Sequence, residues 1–406
     1  MFYSPLRHSI YRSVWLVLFF SNICTWAHTI TASILITKLT TSTILISLVQ
    51  TAAALPVFLL AIPAGVFADL LDRKLIILIA QTVMAVIASI MAALAFAHLM
   101  TPYLLIGTTF LLNIGLALNQ PAWQATSSTL VPQTEIKQAA ALNNLSFNVS
   151  RCIGPAIAGY FFSKLGAGYL FTLNSISFLI SIIVLSRYVP NKKISAPMTF
   201  KKFWRGSFDG LFLYRQYPHL KSIFLKAFLY FFFAASIWAL LPYILMIQYK
   251  MTNSDLGTLT AIAGLGAVFN AYSIYYLRKK FTDTHLTTFT LLLASLVIYS
   301  IAHASTFFMF AIVLFVFGYS WSIAVSVFNG TLQADFPVEI RSRLIGIYCV
   351  FFAGAQVLGG YISGILVNQF GLHISLTTTA LLTFIVFTGY LLITAKQQKQ
   401  AMEVSI

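Results

Sequence analysis

Few side chains within the long apolar segments of this sequence could bind a proton or an ion. All nine acidic residues fall in predicted loops or in the C-terminal tail: Asp69, Asp72, Glu135, Asp209, Asp255, Asp283, Asp335, Glu339 and Glu403. His28 and Arg151 lie inside apolar segments, where a charge is costly unless it faces a partner or a water-filled cavity. His28 is either a proton carrier or a neutral, hydrogen-bonded core histidine. Arg151 either holds an anionic ligand or pairs with backbone groups.

The usual signatures of enzymes are missing from the sequence. It contains no G-x-x-x-x-G-K-[ST] phosphate loop, no H-E-x-x-H and no G-x-S-x-G. The three cysteines, Cys24, Cys152 and Cys349, lie in apolar runs without the spacing of metal ligands. The sequence therefore predicts a protein that is not an enzyme and has no cofactor, no metal site and no disulfide framework.

The composition indicates whether water or lipid surrounds most of the chain. Of the 406 residues, 59% are hydrophobic and 8% are charged, against roughly 45–50% and about 25% in soluble domains. So few charges cannot cover a water-soluble surface of this size. The lipid bilayer is thus the main environment of the chain, and nucleic-acid binding and most soluble enzyme classes are excluded.

Twelve apolar segments are long enough to cross a bilayer, which takes about 20 residues. Their approximate cores are 13–37, 43–66, 75–97, 102–125, 140–163, 168–188, 222–247, 256–277, 286–303, 306–329, 344–367 and 373–394. No cleavage site for a signal peptide follows the first segment, so we expect it to be retained. The predicted fold class is an all-α membrane protein with twelve transmembrane helices.

The basic residues predict the orientation of these helices. Of the 25 Lys and Arg residues, 21 fall in segments on the side of the N-terminus and three fall in loops on the other side. The positive-inside rule therefore places both termini in the cytoplasm. The net charge of +16 is then a topology signal and requires no polyanionic partner. We expect a multi-pass protein of the bacterial inner (cell) membrane, and a monomer.

An internal repeat divides the chain into two halves. Three glycines recur at an offset of 205 residues: Gly154, Gly159 and Gly166 match Gly359, Gly364 and Gly371. Glu135-Ile136-Lys137 likewise matches Glu339-Ile340-Arg341 at an offset of 204. The predicted domains are an N-terminal six-helix bundle (1–190), a basic cytoplasmic linker (191–220), a C-terminal six-helix bundle (221–395) and a cytoplasmic tail (396–406). Two pseudo-symmetric bundles with a site at their interface are a common plan of secondary transporters.

Two motifs relate the chain to a known family. The loop after the second segment contains Gly65, Asp69, Asp72, Arg73 and Lys74. It resembles the loop signature of the major facilitator superfamily, although Leu70 and Asp72 depart from the usual residues. The next segments contain P-A-W, V-P, A-L-N and R-x-x-G-P-x-x-G motifs, the last of which includes Arg151, Gly154, Pro155 and Gly159. This series resembles the branch that holds the enterobactin exporter and macrolide-efflux proteins.

The resemblance implies a major facilitator fold that works by alternating access. It implies export of a small amphipathic organic molecule, with import as the nearest alternative, driven by an ion gradient with H⁺ as the expected coupling ion. A siderophore is the first substrate expected and a macrolide or another drug is the alternative. The branch often has an acid where this chain has Thr25, so a transport-incompetent sensor or assembly factor on the same fold stays open. The absence of acids at membrane depth favours an anionic or neutral substrate.

Two sets of residues are predicted to carry this function. Aromatic, amide and charged side chains of the helices around the expected cavity are the candidate substrate site: Trp26, His28, Asn113, Asn119, Asn144, Asn148, Arg151, Tyr230, Trp238, Tyr319, Trp321 and Asn329. The candidate gating or structural residues are Gly65, Asp69, Asp72, Arg73, Lys74, Glu135, Gly154, Pro155, Gly159, Glu339 and Arg341. By the resemblance, Asp69 would face the N-terminal end of a helix in the other half.

Overall fold

A computed structural model describes residues 4–127, 129–188, 217 and 219–404, except for the side chains of 65, 66, 68–70, 125, 219, 338, 339, 342, 343 and 394–404. These residues form twelve long α-helices: α1 Ser9–Leu39, α2 Thr43–Leu70, α3 Arg73–Phe96, α4 Pro102–Ser127, α5 Ile136–Leu165, α6 Ala167–Tyr188, α7 His219–Pro242, α8 Asn253–Lys280, α9 Asp283–His303, α10 Phe307–Ala334, α11 Val338–Phe370 and α12 Leu372–Val404. Two short 3₁₀ helices, Ser4–Arg7 and Gln133–Glu135, precede α1 and α5, and a π-helical segment, Tyr243–Gln248, continues α7.

Eleven of these twelve helices are long and apolar enough to cross a membrane by length and composition. The helix that falls short is α5, which carries Asn143, Asn144, Asn148 and Arg151 among its first sixteen residues. Polar groups at membrane depth are found almost always on faces that line protein or a cavity. The low hydropathy of α5 therefore marks it as an interior helix, and it packs against α1 and α8.

Helix contacts repeat between the two halves of the chain. In the first half α1 packs on α5 and α6, α4 packs on α2 and α3, and α3 packs on α6. In the second half the equivalent helices make the same contacts: α7 packs on α11 and α12, α10 packs on α8 and α9, and α9 packs on α12. The halves meet where α2 packs on α11 and where α5 packs on α8, and the pseudo-symmetry relates these two contacts to each other. The predicted fold class of two pseudo-symmetric six-helix bundles is confirmed.

The repeated glycines have equivalent surroundings in the two halves. A Cβ on Gly154 would lie 2.6 Å from the Ile23 carbonyl of α1, and one on Gly359 would meet the Phe232 carbonyl of α7. Gly166 and Gly371 end α5 and α11 with φ of +81° and +80°, a left-handed conformation that side chains disfavour. The duplication in the sequence thus has a structural counterpart at these positions.

Side-chain hydrogen bonds between described residues join the two halves at one end of the helix bundle. We call the end where α1 begins the terminal face and the other end the opposite face. Between described residues, three side-chain hydrogen bonds connect the halves: Thr37 Oγ1 donates to Met246 Sδ (3.5 Å), Thr43 Oγ1 to the Gly364 carbonyl (2.9 Å) and Asn253 Nδ2 to Ser163 Oγ (2.9 Å). All three lie near the opposite face, where the halves are closed against each other.

Two predicted boundaries fall at the edge of what the structure describes. The linker predicted at 191–220 lies outside the described residues except for Tyr217 and the first turn of α7. The tail predicted at 396–406 continues the backbone of α12 as helix as far as Val404. The division at 190 and 220 stays a prediction.

Candidate functional site

Arg151 lies where the two halves meet. Its side chain is buried, with 7% of its surface exposed, and its guanidinium carbon lies 5.6 Å from the ring centre of Trp26 and 5.1 Å from that of Trp238. Both distances are within the reach of a cation–π interaction. Trp26 belongs to α1 and Trp238 to α7, so one cation contacts an aromatic face from each half. Its Nε has no hydrogen-bond partner among the described residues.

Glycines on α5 itself and on the neighbouring α8 bring Arg151 to this position. Gly154 lies one turn further along α5, and a Cβ there would be 2.6 Å from the Trp26 Cβ. A Cβ on Gly264 of α8 would lie 3.0 Å from the carbonyl oxygen of Arg151. Side chains at these glycines would push α5 away from α1 and α8. The close approach of the three backbones is what allows one guanidinium to contact both tryptophans.

Aromatic residues of the second half form a wall behind Trp238. Its ring packs 5.2 Å from Phe317 and 6.1 Å from Trp321, both on α10. Trp321 in turn contacts Phe231 at 5.0 Å and Phe352 at 5.9 Å. Contacts of this kind each add about 0.5–1.5 kcal/mol beyond the contribution of the area that they bury. The wall is therefore rigid and apolar, and Trp238, which is half-buried, is its member nearest to Arg151.

A polar crevice lies in the first half, between α1, α2 and α4. His28 is buried, and neither of its ring nitrogens has a hydrogen-bond partner among the described residues, while its ring packs 4.7 Å from Phe171. The buried Thr109 hydroxyl also has no partner there. The crevice is lined by Thr25, His28, Thr29, Ala32, Ser33, Val49, Gln50, Ala53, Thr109, Leu112, Asn113 and Leu116. It offers neutral donors and acceptors without a described acid.

The structure brings some of the predicted substrate residues together and separates others. Trp26, Arg151 and Trp238 form one cluster, with Trp321 in the wall behind it, and His28 and Asn113 share the crevice. Tyr230 and Tyr319 instead bond to residues outside this cluster. The Tyr230 hydroxyl is buried against Ser320 at 3.0 Å, and Tyr319 accepts a hydrogen bond from Ser273 at 3.1 Å between α8 and α10.

The predicted amides mostly bond to their own helices. The side chain of Asn113 donates to the Thr109 carbonyl, Asn148 to that of Asn144 and Asn329 to that of Val325, at 2.8–2.9 Å. The buried Oδ1 of Asn119 has no partner among the described residues. Asn144 is exposed on the terminal-face half of α5.

Several predicted gating residues have local structural roles at the terminal face. Asp72 accepts a hydrogen bond from the Lys74 backbone N–H (2.9 Å) and caps the N-terminus of α3, which begins at Arg73; such caps contribute about 1 kcal/mol. Glu135 contacts His8 at 3.0 Å, and Arg341 Nε donates to the Phe336 carbonyl at 2.8 Å.

The structure describes only the helical backbone of three predicted gating residues. These are Gly65, Asp69 and Glu339, whose surroundings lie outside the described part of the chain. The expected contact of Asp69 with the other half stays a prediction.

Sequence reasoning missed most of the crevice and of the aromatic wall. Thr25, Thr29 and Ser33 follow each other at intervals of four residues, which places their hydroxyls on one face of α1. Thr29 and Ser33 each donate to the carbonyl four residues earlier, at 3.0 Å. This spacing was the available signal. Phe231, Phe317 and Phe352 had none, because phenylalanine is common throughout the apolar segments.

Comparison with known proteins gives the family. The family model described as transmembrane secretion effector matches residues 1–405. The chain belongs to the transmembrane secretion effector family. This confirms the predicted relationship to the major facilitator superfamily, and the family and its structural neighbours are transporters, not enzymes.

The relatives of this transmembrane secretion effector support the same fold. It is 23% identical over 344 residues to macrolide efflux protein A of Streptococcus pyogenes, covering 83% of this chain and 84% of that one. A macrolide efflux protein A of Enterococcus faecalis is 24% identical over 288 residues, covering 70% and 87%. The crystal structure of a mutant of the nucleoside transporter NupG superimposes with a TM-score of 0.78 at 13% identity, covering 94% and 99%. The protein is a multi-pass membrane transporter of the major facilitator type.

Proposed function

We propose that this protein exports an amphipathic, anionic or neutral organic molecule by alternating access, with Arg151 at the centre of the site. The observation that carries the proposal is the position of Arg151 between Trp26 of one half and Trp238 of the other. A ligand that contacts this guanidinium contacts both halves at once. Rocking of the halves around such a ligand would expose it to one face and then to the other.

Two substrate classes have separate support. A macrolide-like molecule is supported by the similarity to proteins named macrolide efflux protein A, and its apolar body suits the aromatic wall. A siderophore is supported by the positive charge of Arg151, since no acid at membrane depth in the described helices would neutralise it. A charged group in that environment gains most from a ligand of opposite charge.

The topology and the contacts between the halves support the proposed direction of transport and the proposed membrane. The 21 to 3 distribution of Lys and Arg supports a cytoplasmic terminal face in a bacterial inner membrane. The hydrogen bonds that join the halves lie near the opposite face. We infer an inward-facing state, in which an exporter would collect its substrate from the cytoplasm or from the inner leaflet.

We infer that protons drive transport and that His28 carries them. Its two unpartnered ring nitrogens face a crevice of hydroxyl and amide groups. Cys24 lies one turn before His28 on α1, and Arg151 of α5 contacts Trp26, two residues before His28. The residues of α2 and α4 that line the crevice carry no charge, and neither does α6 between 167 and 186. Protonation of His28 would therefore place a second cation near Arg151 and change the affinity for an anionic substrate.

Flux measurements in proteoliposomes test this function. The electrical potential alone can drive an anion out of a compartment that is negative inside, with a gain of about 2.3 kcal/mol per charge per 100 mV. The pH gradient and the electrical potential are therefore imposed in separate experiments. We expect a macrolide or a siderophore to accumulate with the pH gradient, and the His28→Gln variant to lose this response while still binding the substrate. Binding without flux under either gradient would instead indicate the transport-incompetent sensor. Flux of His28→Gln that follows the pH gradient as in the unchanged protein would contradict the proton assignment.

A further inference from the structure

Helices α5 and α8 touch closely over only part of their length. A Cβ on Gly159 would lie 2.7 Å from the Asn253 carbonyl and 2.8 Å from the Gly257 Cα. Further along, a Cβ on Gly264 would lie 3.0 Å from the Arg151 carbonyl oxygen. This contact runs from the opposite face to the depth of Arg151. Asn253 and Ser163 add a hydrogen bond at its outer end.

Towards the terminal face the same line of contact opens. Because the two helices are antiparallel, one turn beyond Arg151 and Gly264 leads to Asn148 and Val268, and a second turn leads to Asn144 and Ala271. Asn144 and Ala271 are both exposed. A residue as small as alanine cannot be exposed on a face that is covered by a neighbouring helix. The terminal-face segments of α5 and α8 are therefore separated by a groove that ends at Arg151.

The two walls of this groove differ in chemistry. The α5 wall presents the amides of Asn144 and Asn148. The α8 wall presents aromatic rings, with Tyr275 62% exposed and Lys279 Nζ 4.5 Å from its ring centre. No acidic residue occurs in 137–151 or in 265–280. The groove is thus polar on one side, aromatic on the other and positively charged at its mouth and at its inner end.

We propose that this groove is the lateral route by which the amphipathic substrate passes from the bilayer leaflet of the terminal face to Arg151. An amphipathic molecule in a leaflet has its apolar body in the acyl chains and its polar group at the interface. The aromatic wall of α8 accepts the body, the amides of α5 accept the polar group, and the cations attract an anionic one. This inference rests on the proposed function and adds the path of entry to it.

Lipid access to the groove is the first test, and it does not depend on knowing the substrate. The three native cysteines are replaced by alanine, and a single cysteine labelled with bimane is placed at Asn144→Cys or Ala271→Cys. Ala158→Cys, at a fully buried position of α5 in the region where α5 and α8 are joined, is the matched control. We expect lipids with brominated acyl chains to quench the labels at 144 and 271 more strongly than the label at 158. Quenching at 144 by aqueous iodide but not by brominated lipid would overturn the lateral route, as would equal lipid quenching at 144 and 158.

Blocking the groove is the second test. We expect Ala271→Trp to lose most of the transport of a macrolide supplied in the membrane, whereas Ala93→Trp on the exposed face of α3 keeps it. Transport by Ala271→Trp at the rate of the unchanged protein would overturn the inference, even if Arg151→Gln is inactive and the proposed function stands. If the unchanged protein moves neither a macrolide nor a siderophore, the proposed function fails, while the lipid quenching still decides whether the groove is open to the bilayer.

Discussion

Replacing Arg151 by glutamine is expected to weaken the binding of an anionic substrate about 100-fold, which corresponds to about 2.7 kcal/mol. Hydrogen bonds to charged groups are each worth about 1.5–3 kcal/mol, and glutamine removes the charge while keeping a polar, although shorter, side chain. Arg151→Lys keeps the charge but not the planar group that faces Trp26 and Trp238. We expect it to lose about tenfold. Quenching of tryptophan fluorescence on titration with the substrate measures these affinities.

A matched control separates the role of Arg151 from a general loss of positive charge. Arg187→Gln removes an exposed arginine at the end of α6 and should leave the affinity unchanged. A macrolide, which carries no anionic group, should lose less affinity in Arg151→Gln than an anionic siderophore does, so the pattern also discriminates between the two substrate classes. Equal affinity of Arg151→Gln and the unchanged protein for an anionic substrate would contradict the proposed site.

Replacing Gly159 by valine is expected to shift the conformational equilibrium away from closure at the opposite face. The added side chain would overlap the Asn253 carbonyl and the Gly257 Cα across the contact of α5 with α8. Overpacking of this kind costs about 1–3 kcal/mol, which changes an equilibrium about 5- to 150-fold. Labelling of a cysteine placed at Asn253 by a membrane-impermeant maleimide added on the opposite-face side should become faster by a factor in this range.

The glycines of the chain provide both a control and a second variant. Gly107 of α4 has no atom within 4 Å of its ideal Cβ position, so Gly107→Val should leave the labelling rate unchanged. Gly364→Val, at the equivalent contact of α11 with α2, should act in the same direction as Gly159→Val because its Cβ would meet Ser47. Labelling that stays slow in Gly159→Val, with unchanged transport, would show that this contact does not control closure.

The architecture could be predicted from the sequence because it depends on length, hydropathy and repeated glycines. Each of these signals is local or recurs at a fixed offset. Gly166 and Gly371, for example, end equivalent helices with nearly the same φ. The basic loops add a topology signal that requires no knowledge of packing. The more polar helix α5 was also found, because 140–163 is still a mostly apolar segment long enough to cross a bilayer.

The detailed site could be predicted only in part, since its contacts join residues that are far apart in the chain. Arg151 was recognisable because a charge at membrane depth is rare. Its two partners were not, since Trp26 and Trp238 resemble any other aromatic residues of their segments. Tyr230 was expected in the cavity and is buried against Ser320 instead. Helices that are apolar on all sides have no hydrophobic period that would reveal which face points inward.

The most direct test of alternating access is a pair of distances measured by electron paramagnetic resonance on spin-labelled protein. One pair of labels, at Lys137 and Lys279, spans the two halves at the terminal face, and the other, at Lys164 and Lys250, spans them at the opposite face. When substrate and the driving gradient are supplied, we expect the first distance to shorten and the second to lengthen. Two distances that stay constant, or that change in the same direction, would contradict rocking of the halves around Arg151.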